Sequence, residues 1–144
     1  MEREAFPPAT AGSRPSPKSF PADWPPADSY VPTTSCQQSD ASERCEQIRA
    51  DWTGLYADAI AGRIESQRKI SFCLSTGCNE GIVVEPVLGC AWRQVIAASH
   101  NPEINDTDRT NIDRYCGPRV LDDAGRKAAG DQSQAWLTLL GVTP

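Results

Sequence analysis

The chain has 144 residues, a formal net charge of −5 and 39% hydrophobic residues. That length accommodates one domain with a real core, and the acidic balance disfavours non-specific nucleic-acid binding, which needs clustered Lys and Arg. No stretch approaches the ~20 apolar residues with which a helix spans a bilayer.

The twelve prolines are concentrated before Thr33. Residues 1–35 read as a Pro-rich arm, also rich in Ser, Thr and Ala, with neither helical nor strand periodicity. Such a segment is expected to be extended or polyproline-like, without secondary structure of its own. Phe6, Phe20, Trp24 and Tyr30 are spaced through these prolines. A pure spacer has little use for four aromatics, so they are candidate anchors for a groove of this protein or of a partner. The folded domain is then residues 36–144, and a hydrophobic content slightly low for a whole globular chain fits a compact domain carrying a polar tail.

The domain opens with Ser39-Asp40 as an N-cap signal. A helix follows through Cys45, Ile48, Trp52, Leu55, Tyr56, Ala59 and Ile60, whose apolar positions recur at helical spacing, and Gly62 marks its end. The stretch 62–99 predicts a helical hairpin. Its first half places Ile64, Ile70, Phe72, Cys73 and Leu74 among charged residues, and Gly77 and Gly81 punctuate the connection. Pro86 suits the first turn of a second helix, where Leu88, Ala91, Trp92, Val95 and Ile96 follow the i, i+3, i+4, i+7, i+8 pattern of an amphipathic helix. His100-Asn101-Pro102 ends it. Asn105 to Asp108 caps a short helix reaching Tyr115-Cys116-Gly117, and Pro118 is expected at the start of another through Val120, Leu121 and Ala124. Gly125 and Gly130 weaken that region, each costing ~1 kcal/mol against alanine in a helix interior. A final helix, about 131–140, carries Ala135, Trp136, Leu139 and Leu140. No useful strand alternation occurs, so the expected class is all-α, built of antiparallel helical hairpins.

All six cysteines, Cys36, Cys45, Cys73, Cys78, Cys90 and Cys116, fall inside the domain. An even count in a small domain reads as a disulfide framework made in an oxidising compartment. Metal binding is the rival reading, but no C-x-x-C pair occurs and His100 is the single histidine. Spacing alone leaves the pairing open. A chain made in such a compartment must be exported, yet residues 1–35 contain no apolar core that would serve as a signal. The expectation is that a signal has been removed, and that the protein is periplasmic or secreted.

At the hairpin the residues resemble the Sel-one-like repeat, a relative of the tetratricopeptide repeat. Gly62, Ser66, Gln67, Ile70, Ser71, Leu74 and Gly77 stand in the register of that family's first helix. Gly81-Ile82, then Gly89, Trp92 and Ile96-Ala97, follow as its connection and second helix. Gly130-Asp131 with Gln134-Ala135 is a looser echo. The resemblance implies stacked hairpins, in which small residues such as Ser66 and Gly89 let helices approach and Trp92 and Leu74 fill the space between them. It also implies protein–protein interaction, in bacteria often in the envelope or secreted, with cysteines stapling hairpin helices together. On that plan Cys73 pairs with Cys90. Cys36–Cys45 is expected next from its short span, and Cys78–Cys116 remains by elimination.

Signs of catalysis are thin. His100 follows a helix end, where histidine commonly caps carbonyls, and a catalytic role needs a nucleophile or an orienting acid beside it. Asp106 and Asp108 are near it in sequence but serve better as helix caps. Asp122-Asp123 suit a helix N-terminus, and Glu46 with Asp51 would need to face each other across a cleft to act as acid and base. A thiol enzyme using Cys78 and His100 stays open only if Cys78 is unpaired. Phosphate, dinucleotide, nucleophile-elbow and zinc-protease motifs are absent, and no cofactor is implied. The expectation is therefore a non-enzymatic, exported protein–protein interaction module, an adaptor or accessory subunit docking on an envelope or periplasmic assembly. An inhibitor or toxin-immunity protein against one exported enzyme is the alternative, its acidity favouring a basic target, and a small hydrolase comes third.

Overall fold

The computed structural model describes residues 24–142. Among them are five α-helices and no strand: α1 (Ser42–Ile60), α2 (Ile64–Thr76), α3 (Pro86–Ala98), α4 (Asp106–Cys116) and α5 (Asp123–Leu139), preceded by 3-10 turns at Ala27–Tyr30 and Cys36–Gln38. The fold is all-α and its centre is α3, which packs against α2, α4 and α5, while α1 packs against α2. The sequence explains that centrality. Ala91, Trp92, Val95 and Ile96 are the expected apolar stripe, and Gly89, Cys90 and Arg93 are buried beside them, so α3 is covered on several sides. No helix among the described residues is long and apolar enough to cross a membrane.

The α2–α3 hairpin forms where expected. Gly77, at φ +86°, terminates α2 in the left-handed conformation that glycine adopts without steric cost, and its N–H bonds Cys73 O. Gly89 is the point of closest approach between the two helices: a Cβ there would meet Ser75 Oγ at 2.2 Å, and Ser71 Oγ donates to Gly89 O at 2.9 Å. Within this hairpin one apolar assignment fails, as Leu139 does in the last helix, where it is 41% exposed. Phe72 is 45% exposed, because it lies on the face of α2 opposite the stripe of Ile70, Cys73 and Leu74.

The last third of the chain also differs from expectation. Residues 118–120 form a turn rather than a helix, and α5 runs unbroken from Asp123 through both Gly125 and Gly130. The Asp122 carboxylate accepts from Gly125 N at 2.7 Å and starts the helix. Burial of Ala129, Gln132, Ser133, Trp136 and Leu137 then outweighs the two glycine penalties of ~1 kcal/mol each.

All six cysteines are paired, which places the folded chain in an oxidising compartment. Cys36–Cys45 is as expected. The other two bonds are Cys73–Cys78 and Cys90–Cys116, not Cys73–Cys90 and Cys78–Cys116. The reason is rotation about α3. Gly89 faces α2, so Cys90, about 100° further round the helix, turns to α4 and meets Cys116. Cys73 instead bonds Cys78, brought back to a Cα–Cα distance of 4.8 Å by the reversal after Gly77. Cys90–Cys116 closes the longest of the three loops, 26 residues in sequence separation. Replacing both cysteines by alanine is expected to cost ~3 kcal/mol by loop-closure entropy. Urea denaturation would read this, and a loss no larger than that from removing Cys73–Cys78 would contradict the entropic account.

Trp24 to Ser35 does not behave as the structureless arm that composition implies. Tyr30 is buried, Trp24 is half-buried against the core, and Ala27–Tyr30 is a 3-10 turn. Phe6 and Phe20 lie outside the described residues.

Candidate functional site

Three places combine unusual geometry with polar chemistry. The first is the loop joining α2 to α3. Cys78, Asn79 and Glu80 take φ values of +45°, +61° and +67°. Three consecutive non-glycine residues in the left-handed region are costly, at roughly 1–2 kcal/mol each, and persist only where the surroundings over-determine them. Here they do. The Cys73–Cys78 bond clamps one end. Arg49, from α1, donates through Nε to Gly81 O (3.0 Å), through Nη2 to Glu80 O (3.0 Å) and through Nη1 to Thr34 O (2.7 Å). Ser39 Oγ donates to Asn79 O at 2.9 Å. The backbone is held from three sides while the Asn79 and Glu80 side chains face solvent. Beside them opens a cleft of about 340 Å³, lined by Pro32, Ser35, Thr76, Glu80, Ile82 and Val84, the last 50% exposed.

The second place is the seat of Trp24–Tyr30. Trp24 stacks on Trp92 of α3 (centroids 5.4 Å apart, planes 10°) and on Trp136 of α5 (5.3 Å, 26°). Trp52 Nε1 donates to Ala27 O at 2.9 Å, and Tyr56 OH donates to Pro25 O at 2.7 Å. Tyr30 packs edge-on against Trp52, and its carbonyl accepts from Val83 N at 2.8 Å. Burial pushes the Tyr30 phenol well above its ordinary range. Two of the four aromatics proposed as partner anchors are therefore engaged with this chain's own helices.

The third is a buried charge cluster. Arg68 of α2 grips Asp108 of α4 with two bonds, Nε to Oδ1 at 2.9 Å and Nη2 to Oδ2 at 2.7 Å. Arg93 of α3, 4% exposed, lies 4.0 Å from the same carboxylate and stacks under the Tyr115 ring at 4.5 Å. Asp108 also completes the capping box of α4 with Asn105. The hydrogen bonds from Arg68 hold the Asp108 carboxyl below the usual carboxylate range, and Asp108 in turn raises Arg68. Burial lowers Arg93. This cluster joins three helices, with Asp108 and Arg93 buried and Arg68 half-buried at its edge.

The remaining acid–base candidates do not converge. His100 is exposed at φ +61°. Asp106 pairs with Arg109, Asp123 with Arg126, and Asp51 accepts from Gln47, all on exposed helix surface. Asp122 is the cap of α5, as its position implied. Cys78 is bonded to Cys73 and offers no thiolate to His100. No group of three or more His, Cys, Asp or Glu side chains among the described residues is placed to hold a metal.

Sequence reasoning read Asp108 as a cap and missed its two arginines, although Arg93 inside an otherwise apolar stripe was a signal of a buried partner. The left-handed loop had no signal beyond the glycines on either side of it. Comparison of the chain with protein-family models, with curated proteins and with solved structures finds no match.

Proposed function

We propose that the protein is an exported, periplasmic or secreted protein-binding module whose contact surface is the tip of the α2–α3 hairpin. One observation carries this reading. Cys78-Asn79-Glu80 stays in a strained backbone conformation under a disulfide and an arginine clamp, with the Asn79 and Glu80 side chains turned outward. A loop fixed in advance loses little entropy on docking, which is how pre-organised segments gain affinity. Exposed Val84 and the neighbouring cleft supply apolar contact, and the net charge of −5 with Glu80 at the tip favours a basic partner. The hairpin's likeness to Sel-one-like repeats supports the same class of function. An adaptor docking on an envelope assembly and an inhibitor of one exported enzyme both use such a loop. The rigid clamp favours the inhibitor, and the size of the captured complex separates the two.

The double variant Asn79→Gly with Glu80→Gly tests the reading. It removes both outward side chains and the left-handed strain at those two positions. Stability is expected to hold or rise, by up to about 1 kcal/mol per position. Capture of the partner from a native periplasmic or secreted fraction should be lost. Undiminished capture by the double variant would refute the assignment of the tip.

A further inference from the structure

We propose that the aromatic face shared by α1, α3 and α5 is a binding site for peptides of the Trp-Pro-Pro type that run from a polyproline turn into a 3-10 turn, and that Trp24–Tyr30 is its exchangeable intramolecular occupant. The seat meets the α2–α3 loop only at its end, where Tyr30 O accepts from Val83 N, and the proposal does not rest on the hairpin-tip reading.

The seat has the chemistry of a peptide groove rather than of a core strand or helix contact. The occupant presents its carbonyls and rings, and the helices supply the complementary groups. Pro25 and Pro26 have no N–H, so this stretch offers acceptors only, and the groove answers with donors on aromatic side chains, Tyr56 OH to Pro25 O and Trp52 Nε1 to Ala27 O. Pro26 sits at φ −63° and ψ +142°, the polyproline II conformation. Aromatic-lined grooves take such segments because they arrive already extended. Trp24 enters the angle between the Trp92 and Trp136 rings, an anchor of the kind that dominates peptide interfaces.

Two further observations mark the occupant as replaceable. Pro26, Asp28 and Ser29 are exposed, so recognition runs through Trp24, Pro25, Ala27 and Tyr30 and not through the whole segment. The indole N–H groups of Trp92 and Trp136, and the side-chain amide of Gln132 one turn before Trp136, are buried without hydrogen-bond partners. Trp24–Tyr30 therefore leaves donors unused on the two rings it stacks against. Beyond Tyr30 only Val31–Ser35 separates the occupant from the Cys36–Cys45 bond that pins the chain to α1. So short a tether gives an effective concentration of order millimolar, and an external peptide must compete with it.

The test titrates the full-length protein against a labelled peptide with the sequence of residues 20–32, read by fluorescence anisotropy. Wild type should bind weakly, because most of its grooves are filled. Trp24→Ala, which weakens the occupant, should bind the same peptide at least about tenfold more tightly, and a peptide with alanine in place of its tryptophan should bind neither. Absence of peptide binding by folded Trp24→Ala would overturn the proposal. Should that variant fail to fold, a full chain with a protease site inserted between Thr33 and Thr34 is cut after folding and mixed with excess labelled peptide of residues 1–33. Exchange of the cleaved segment, seen by gel filtration, supports the proposal. Retention of the original segment against about a hundredfold excess shows a permanent core element and overturns it. The Asn79→Gly/Glu80→Gly variant should give the wild-type titration, so failure of the hairpin-tip reading and failure of this one are separable.

Discussion

Asp108→Asn is expected to destabilise the protein by roughly 3–5 kcal/mol, the range for removing one partner of a buried ion pair. Asparagine retains the size of the side chain and an acceptor for the Asn105 N–H, so the helix cap survives and charge is the main loss. What remains is Arg68, deprived of its bidentate partner, and Arg93, 4% exposed and without its nearby anion. Nε of Arg93 already lacks a hydrogen-bond partner, while its Nη2 donates to the Arg68 carbonyl at 3.3 Å. Adding Arg93→Met to Asp108→Asn should recover part of the loss, because the buried cation goes with its partner.

The same residue sets a pH dependence. The carboxyl is held below its ordinary range in the folded state, so its contribution is fully present above the unfolded aspartate pKa of about 3.9. It is lost as pH falls through the lower folded value. Urea midpoints of wild type and Asp108→Asn should therefore differ by a constant amount from pH 7 to pH 5 and converge below about pH 4. A difference that persists undiminished at the acid end would show that Asp108 acts through packing and not through its charge.

Trp92→Ala is expected to cost a comparable ~3–5 kcal/mol, the usual range for deleting a large buried aromatic. Trp92 is fully buried, and it stacks on both Trp24 and Trp136 (centroids 5.4 and 4.9 Å). Its loss opens a cavity at the junction of α3, α5 and the Trp24 segment, and α3, pinned to α4 by Cys90–Cys116, collapses into it poorly. Denaturant titration gives the number. A loss under about 1 kcal/mol would mean that the ring is not part of the core.

The α2–α3 hairpin was legible because its signals are local. Pro86 at the first turn, Gly77 after the last, and the stripe of Ala91, Trp92, Val95 and Ile96 each act within a few residues, and the structure realises all of them. The Asn105 cap of α4 was legible for the same reason. The break expected near Gly125 and Gly130 was not realised, because propensity is worth about 1 kcal/mol per glycine and burial of the Trp136 face is worth more. The disulfide partners of Cys73 and Cys90 depended on the angular position of Cys90 around α3, which becomes decisive only when α2 and α4 take their places. Arg68, Arg93 and Asp108 are 25 and 15 residues apart along the chain, with no motif to connect them.

By itself, then, the sequence determined the helical class, the main helix boundaries, the oxidising compartment and the acidic character, since these follow from periodicity, capping residues, cysteine count and charge. Tertiary structure alone decided which cysteines pair, which charges are buried together, and that the Trp-Pro-Pro segment lies on the protein's own helices. It also decided that Cys78, Asn79 and Glu80 remain in the left-handed region. Each of these depends on groups distant in sequence meeting in space, where burial and multiple hydrogen bonds override the preference of any one residue.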